Sequence, residues 1–115
     1  MFAGSPARSV GVVGESSLLQ FLVERYLPGA TQATLRETSR RLAESADALA
    51  AEGESIRYLG TTFVPVEESC FSCFESTSDV AVRRTLEAAG VPYARILVTE
   101  AVRPGAAVIR ARRQQ

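Results

Sequence analysis

The sequence predicts an α+β fold in which four strands and two helices alternate as βαββαβ. Three observations predict it. Four segments rich in β-branched and aromatic residues end at turn residues. Two segments carry a helical apolar stripe between a capping residue and a glycine. The connections between all six segments are short.

The first strand lies in LQFLVERYLPG, Leu19 to Gly29, and is stopped by Pro28-Gly29. Thr31 caps a helix running to Glu52, with Gly53 just past its end. Leu35, Leu42, Ala46 and Leu49 form its apolar stripe. Glu37 with Arg41, and Arg40 with Glu44, stand at i,i+4 spacing on the solvated side. SIRYLGTTFVP gives a second strand, Ile56 to Val64, ended by Pro65. PVEES makes a turn, and CFSCFE, Cys70 to Glu75, is the third strand. Ser78 caps a second helix, Asp79 to Ala89, with Val82, Leu86 and Ala89 on one face and Gly90 closing it. Pro92 prevents continuation, and YARILVTEAV, Tyr93 to Val102, is the fourth strand. This order is one ferredoxin-like unit spanning residues 19–103. Short, right-handed connections place the first and third strands at the centre of an antiparallel sheet, the second and fourth outside, and both helices on one face. Residues 1–18 read as a flexible arm and 104–115 as a basic tail carrying Arg110, Arg112 and Arg113. GVVGES in the arm has the glycines of a phosphate loop without its lysine.

Composition narrows the chemistry. A chain of 115 residues supports one modest core, and its 46% apolar content is ordinary for a globular protein. Its formal net charge is zero, so broad attraction to nucleic acid or to a membrane surface is not expected. No run approaches the roughly 20 apolar residues of a membrane span, and the N-terminus has no apolar signal core. A cytoplasmic location is expected. The chain has no His and no Lys, and all 13 basic residues are Arg. A Ser-His or Cys-His nucleophilic pair, a lysine Schiff base and imidazole metal ligation are therefore excluded. No cofactor is expected, and chemistry falls to carboxylates, Tyr, Cys and Arg.

Cys70 and Cys73 form a Cys-x-x-Cys spacing, which on other backbones marks a redox pair or half a zinc site. On a strand, side chains i and i+3 point to opposite faces, so these thiols share neither a metal nor a disulfide. Two small buried hydrophobes is the expected reading.

The uncovered sheet face carries the functional expectation. Each strand has apolar residues in both phases: Phe21 and Leu22, Tyr58 and Leu59, Phe71 and Phe74, Leu97 and Val98. A wet antiparallel face would alternate with polar residues. A two-fold homodimer with two sheets packed face to face is the economical solution. Taking the first and third strands to run the same way gathers Glu24, Tyr26 and Glu75 at one end, with Arg57, Tyr58, Tyr93 and Arg95 beside them. Such a cluster is either a set of cross-strand Glu–Arg pairs or the polar end of an apolar cavity. In the second case Glu24, Tyr26 and Glu75 are candidate acid–base residues, and Arg57, Tyr58, Tyr93 and Arg95 bind the ligand. If Glu24, Tyr26 and Tyr58 face the same way, Arg25 points to the helices' side or its rim.

FLVERYLPG, RYLGTTFVP, CFSCFES and AAGVPYARI resemble segments of a family of small bacterial proteins of largely unassigned function. The resemblance spans about Phe21 to Val102 and implies a ferredoxin-like fold assembled as a dimeric α+β barrel. One branch of that family is described as nickel-binding, and related barrels include cyclases and isomerases. The combined expectation is a homodimer that binds a small apolar molecule, with cofactor-independent acid–base catalysis as its enzymatic form. A non-catalytic nickel or ligand binder, or an assembly module, is the alternative.

Overall fold

The computed structural model describes residues 18–100 together with 102 and 104. Apart from residues 18 and 104, the N-terminal arm, its GVVGES stretch and the basic tail lie outside the described residues. The elements are β1 (Leu19–Tyr26), α1 (Gln32–Ala51), β2 (Ile56–Val64), β3 (Ser69–Ser76), α2 (Asp79–Ala89) and β4 (Arg95–Thr99). One four-stranded sheet has the order β2-β3-β1-β4, with β1 and β3 at its centre. This is the ferredoxin-like α+β arrangement expected from the sequence.

Local chemistry explains the helix ends. Thr31 Oγ1 accepts from Thr34 N at 3.2 Å while Thr34 Oγ1 accepts from Thr31 N at 3.0 Å, a reciprocal capping box. Ser78 caps α2 by accepting from Val80 N. Gly90 closes α2 in the left-handed region at φ 68°, where a side chain would be strained. Val91 N then donates back to Leu86 O at 2.9 Å.

Strand ends follow from available partners. β4 stops at Thr99 because its partner Gln20 lies one residue from the start of β1. The expected fourth strand, Tyr93 to Val102, is therefore longer than the observed one. β1 ends at Tyr26, where Leu27 N turns aside to donate to Glu68 O at 2.7 Å. β3 is longer than expected by one residue at each end, since it pairs on both edges, with β1 and with β2.

Burial alternates along the central strands. Phe21, Val23, Cys70, Phe74 and Ser76 face the helices and are buried. Phe21, Val23 and Phe74 pack with Leu42, Ala46 and Leu49 of α1 and Val82 and Leu86 of α2, so one core lies under both helices. Residues of the opposite phase form the open face. In β2, Tyr58 opposes Phe74 and Gly60 opposes Cys73, leaving Leu59 as an extra residue. This bulge needs Gly60, whose φ of 127° suits glycine alone.

Candidate functional site

The single polar cluster expected at one sheet end is corrected by the register. β1 and β3 run antiparallel, with Glu24 opposite Phe71 and Glu75 opposite Gln20. The reason is topological. The α1 crossover returns β2 parallel to β1, and the tight turn after Val64 then reverses β3 against both. Glu24 and Glu75 are thereby separated by four register positions, roughly 13 Å along the strands.

Two separate Glu–Arg pairs replace the cluster. Glu24 sits opposite Arg95, and the Arg95 Nε donates to its Oε1 at 2.5 Å. Glu75 sits opposite Arg57, whose Nη1 lies 3.4 Å from its Oε1. Both carboxylates are half-buried and both guanidiniums are mostly exposed. The like-charge contact that would tune one carboxylate as a general acid is absent from this arrangement, since each faces a guanidinium instead.

The three tyrosines disperse as well. Tyr26 is exposed, and its hydroxyl donates to Glu68 Oε1 at 3.3 Å. Tyr93 packs against the core, and its oxygen accepts from Arg83 Nη1 at 3.1 Å. Tyr58 turns toward the helices, its ring 5.3 Å from that of Phe74. Its hydroxyl bonds Ser39 Oγ at 2.8 Å and Thr61 Oγ1, and Thr61 in turn bonds Ser72 Oγ at 2.8 Å. This chain satisfies four hydroxyls inside the fold.

What the register does assemble on the open face is an apolar centre. Leu22 of β1 lies opposite Cys73 of β3 and Leu97 of β4, and Phe71 follows on β3. The Glu24–Arg95 pair borders it toward one end and the Arg57–Glu75 pair toward the other.

Cys70 and Cys73 are both free, and they face opposite sides of the sheet as their spacing predicts. Cys70 is buried beneath the helices, and desolvation pushes its thiol up, partly opposed by the Arg25 charge and a hydrogen bond from Ser72. Cys73 is only half-buried, so it is not the second interior hydrophobe that was expected. Among the described residues, no group of three or more His, Cys, Asp or Glu side chains is placed to hold a metal ion.

Two residues escaped sequence reasoning, Arg41 and Glu68, whereas Arg25 lies on the helices' side as expected. Arg41 does not pair with Glu37, because Arg40 takes both Glu37 and Glu44, each at 2.6 Å. Arg41 instead reaches Gly90 O at 3.5 Å. Arg25 has the phase of Phe21 and Val23 and is buried with them at 7% exposure; that shared parity was the readable signal. Glu68 adopts φ 54° in the β2–β3 turn, and its carboxylate accepts from Tyr26 and from Gly29 N at 3.0 Å.

The fold has a solved counterpart. The crystal structure of SCO4226 from Streptomyces coelicolor A3(2) superposes with a TM-score of 0.57 at 20% sequence identity, covering 73% of this chain and 99% of that one. A search of curated proteins gave no match. The family described as nickel responsive protein SCO4226-like matches residues 21–98, the stretch from the first core phenylalanine of β1 to Val98 in β4. With both helices, β2, β3 and most of β1 and β4 inside that match, the chain belongs to the SCO4226-like family.

Proposed function

We propose that the chain acts as a homodimer whose two open sheet faces pack together and enclose a binding cavity for a small apolar molecule. The observation that carries this reading is the patch of Leu22, Phe71, Cys73 and Leu97 on the face that no helix covers. Such contiguous apolar surface on a small chain marks an interface or a ligand site. Charge favours a second copy as the cover. Each end of the patch presents one carboxylate and one guanidinium, so a two-fold partner meets opposite charge at both ends.

Binding without catalysis fits the geometry better than the cyclase or isomerase reading. That reading drew on two adjacent carboxylates, and Glu24 and Glu75 stand far apart, each beside an arginine. Nickel, present in the family's description, is not matched by the donors here. The chain has no His, and its two thiols face opposite sides of the sheet. Nickel sites draw on imidazole, which the sequence lacks, or on an arranged mixed set, which is not found among the described residues.

Light scattering coupled to size exclusion is expected to give about twice the 12.4 kDa chain mass at micromolar concentration. Phe71→Arg should yield a folded monomer and lose any apolar adduct seen by native mass spectrometry. A monomeric wild type, or a dimer indifferent to Phe71→Arg, would overturn the proposal. Stoichiometric nickel by elemental analysis would restore the metal reading.

A further inference from the structure

Six ion pairs join described residues, and neither Arg25 nor Arg41 belongs to any of them. Arg25 lies on the helix-covered side, where water is scarce, and Arg41 on α1 is half-buried. The Nε atoms of both are buried without a hydrogen-bond partner. Arg25 is more than nine-tenths buried. An isolated charge in that position is costly, and buried charges in folded proteins are normally paired. Carboxylates are plentiful on this chain, yet the described ones engage other partners or point to solvent around this pair of arginines.

Arg25 is one of the residues lining a cleft where β1 ends and β4 begins. Its other walls are Tyr26, Leu27, Pro92, Tyr93 and Ala94, and its volume is about 260 Å³. That is near the lower bound of ligand pockets, roughly 300–1,000 Å³. Leu27, Pro92 and Ala94 make much of the wall apolar. Arg41 reaches the carbonyl of Gly90, two residues before Pro92. Tyr93 already accepts from Arg83, which leaves its hydroxyl hydrogen for another acceptor. Burial draws the Arg25 guanidinium down from its usual range; the Cys70 and Tyr58 groups oppose this and the Arg41 charge adds to it.

We infer that this cleft binds a small organic carboxylate, with the Arg25 guanidinium as its charge partner and Arg41 as the supporting cation. A guanidinium fork matches the two oxygens of a carboxylate. A single negative charge with an apolar body suits the apolar walls better than a phosphate ion, which has no such body. Arg25 belongs to the helix side of the sheet, opposite the Leu22, Phe71, Cys73 and Leu97 patch, so this proposal does not rest on the dimer cavity.

The test is a titration of the full chain with benzoate, followed through the arginine Nε–Hε resonances at constant ionic strength. Inorganic phosphate and chloride serve as comparison anions. A saturable shift of the Arg25 and Arg41 signals is expected with benzoate, with at least tenfold weaker binding of phosphate and none of chloride. Arg25→Gln should weaken benzoate at least tenfold, whereas Arg84→Gln, which only loses the surface pair with Glu54, should bind unchanged. No saturable shift in the wild type would overturn the site, and this reading stands even where Arg25→Gln fails to fold. Benzoate binding unaffected by Arg25→Gln would also overturn it, and tighter binding of phosphate would overturn the carboxylate assignment.

Discussion

The two faces of the sheet treat charge in opposite ways. On the open face, every described ionised side chain near the apolar centre has a partner, Glu24 with Arg95 and Glu75 with Arg57. On the helix face, Arg25 sits among Phe21, Val23 and Cys70, and among the described residues it has no carboxylate in an ion pair with it. Water can screen a charge on the first face and cannot on the second. Pairing on the open face thus adds little to stability and keeps the rim self-complementary, while the lone guanidinium inside is a cost that the fold bears.

Matched substitutions on the two faces would break or sharpen this contrast. The largest effect is expected from the phenylalanines. Phe74 is fully buried in the core, so Phe74→Ala should cost about 3–5 kcal/mol in denaturant unfolding. Phe71→Ala on the open face should cost the fold less than about 1.5 kcal/mol and act mainly on dimerisation. Equal losses for the two would mean that the open face is covered within one chain.

A smaller contrast lies in the polar groups. Tyr58→Phe deletes the middle of the Ser39–Tyr58–Thr61–Ser72 chain and should cost about 1–2 kcal/mol, since it leaves part-buried hydroxyls short of a partner. Glu24→Gln removes only one partly exposed pair and should cost at most about 1 kcal/mol, less at high salt. Chemical denaturation at two salt concentrations separates them. A larger loss for Glu24→Gln than for Tyr58→Phe would reverse the comparison.

The smallest effect concerns the cysteines. In the monomeric Phe71→Arg variant, Cys73 should react with iodoacetamide well before Cys70, which is buried. The Cys70 thiol is raised on folding, so the folded chain holds its proton where the unfolded chain releases it. Its contribution to stability is full below the unfolded thiol value and is lost as pH rises toward the folded one. Cys70→Ala should flatten that alkaline decline while Cys73→Ala leaves it in place, as urea midpoints across alkaline pH would report.

Fold legibility came from features that act within a few residues. The caps at Thr31 and Ser78, the glycine at 90 and the strand ended by Pro65 are all decided by local sterics and hydrogen bonding. The alternation of Phe21 and Val23 with Leu22 likewise announced two apolar faces. The candidate site depended on features that are not local. The expected cluster rested on the direction of β3, and one reversal split it in two. The phase of β2 is interrupted by its bulge, so Tyr58 and Thr61 share a face although three residues apart, and alternation alone misplaces one of them. Arg41 was assigned to Glu37 by spacing, but Arg40 stands between two carboxylates and takes both. The positive φ of Glu68 has no signature in its residue type.

Glu68 also bears on the order of events when the chain folds. Its carboxylate meets groups 39 and 42 residues earlier in the chain, Gly29 N and the Tyr26 hydroxyl. Neither contact can form until β1 and β3 have found their register, because Tyr26 reaches this turn only when it lies opposite Ser69. The strained backbone of Glu68, on the order of 1 kcal/mol, is therefore accepted for a fastening that closes after the sheet has zipped. Interactions that form late barely change how fast a chain folds; they govern how fast it comes apart. One acidic residue in a four-residue turn thus acts as a latch on the lifetime of the native sheet.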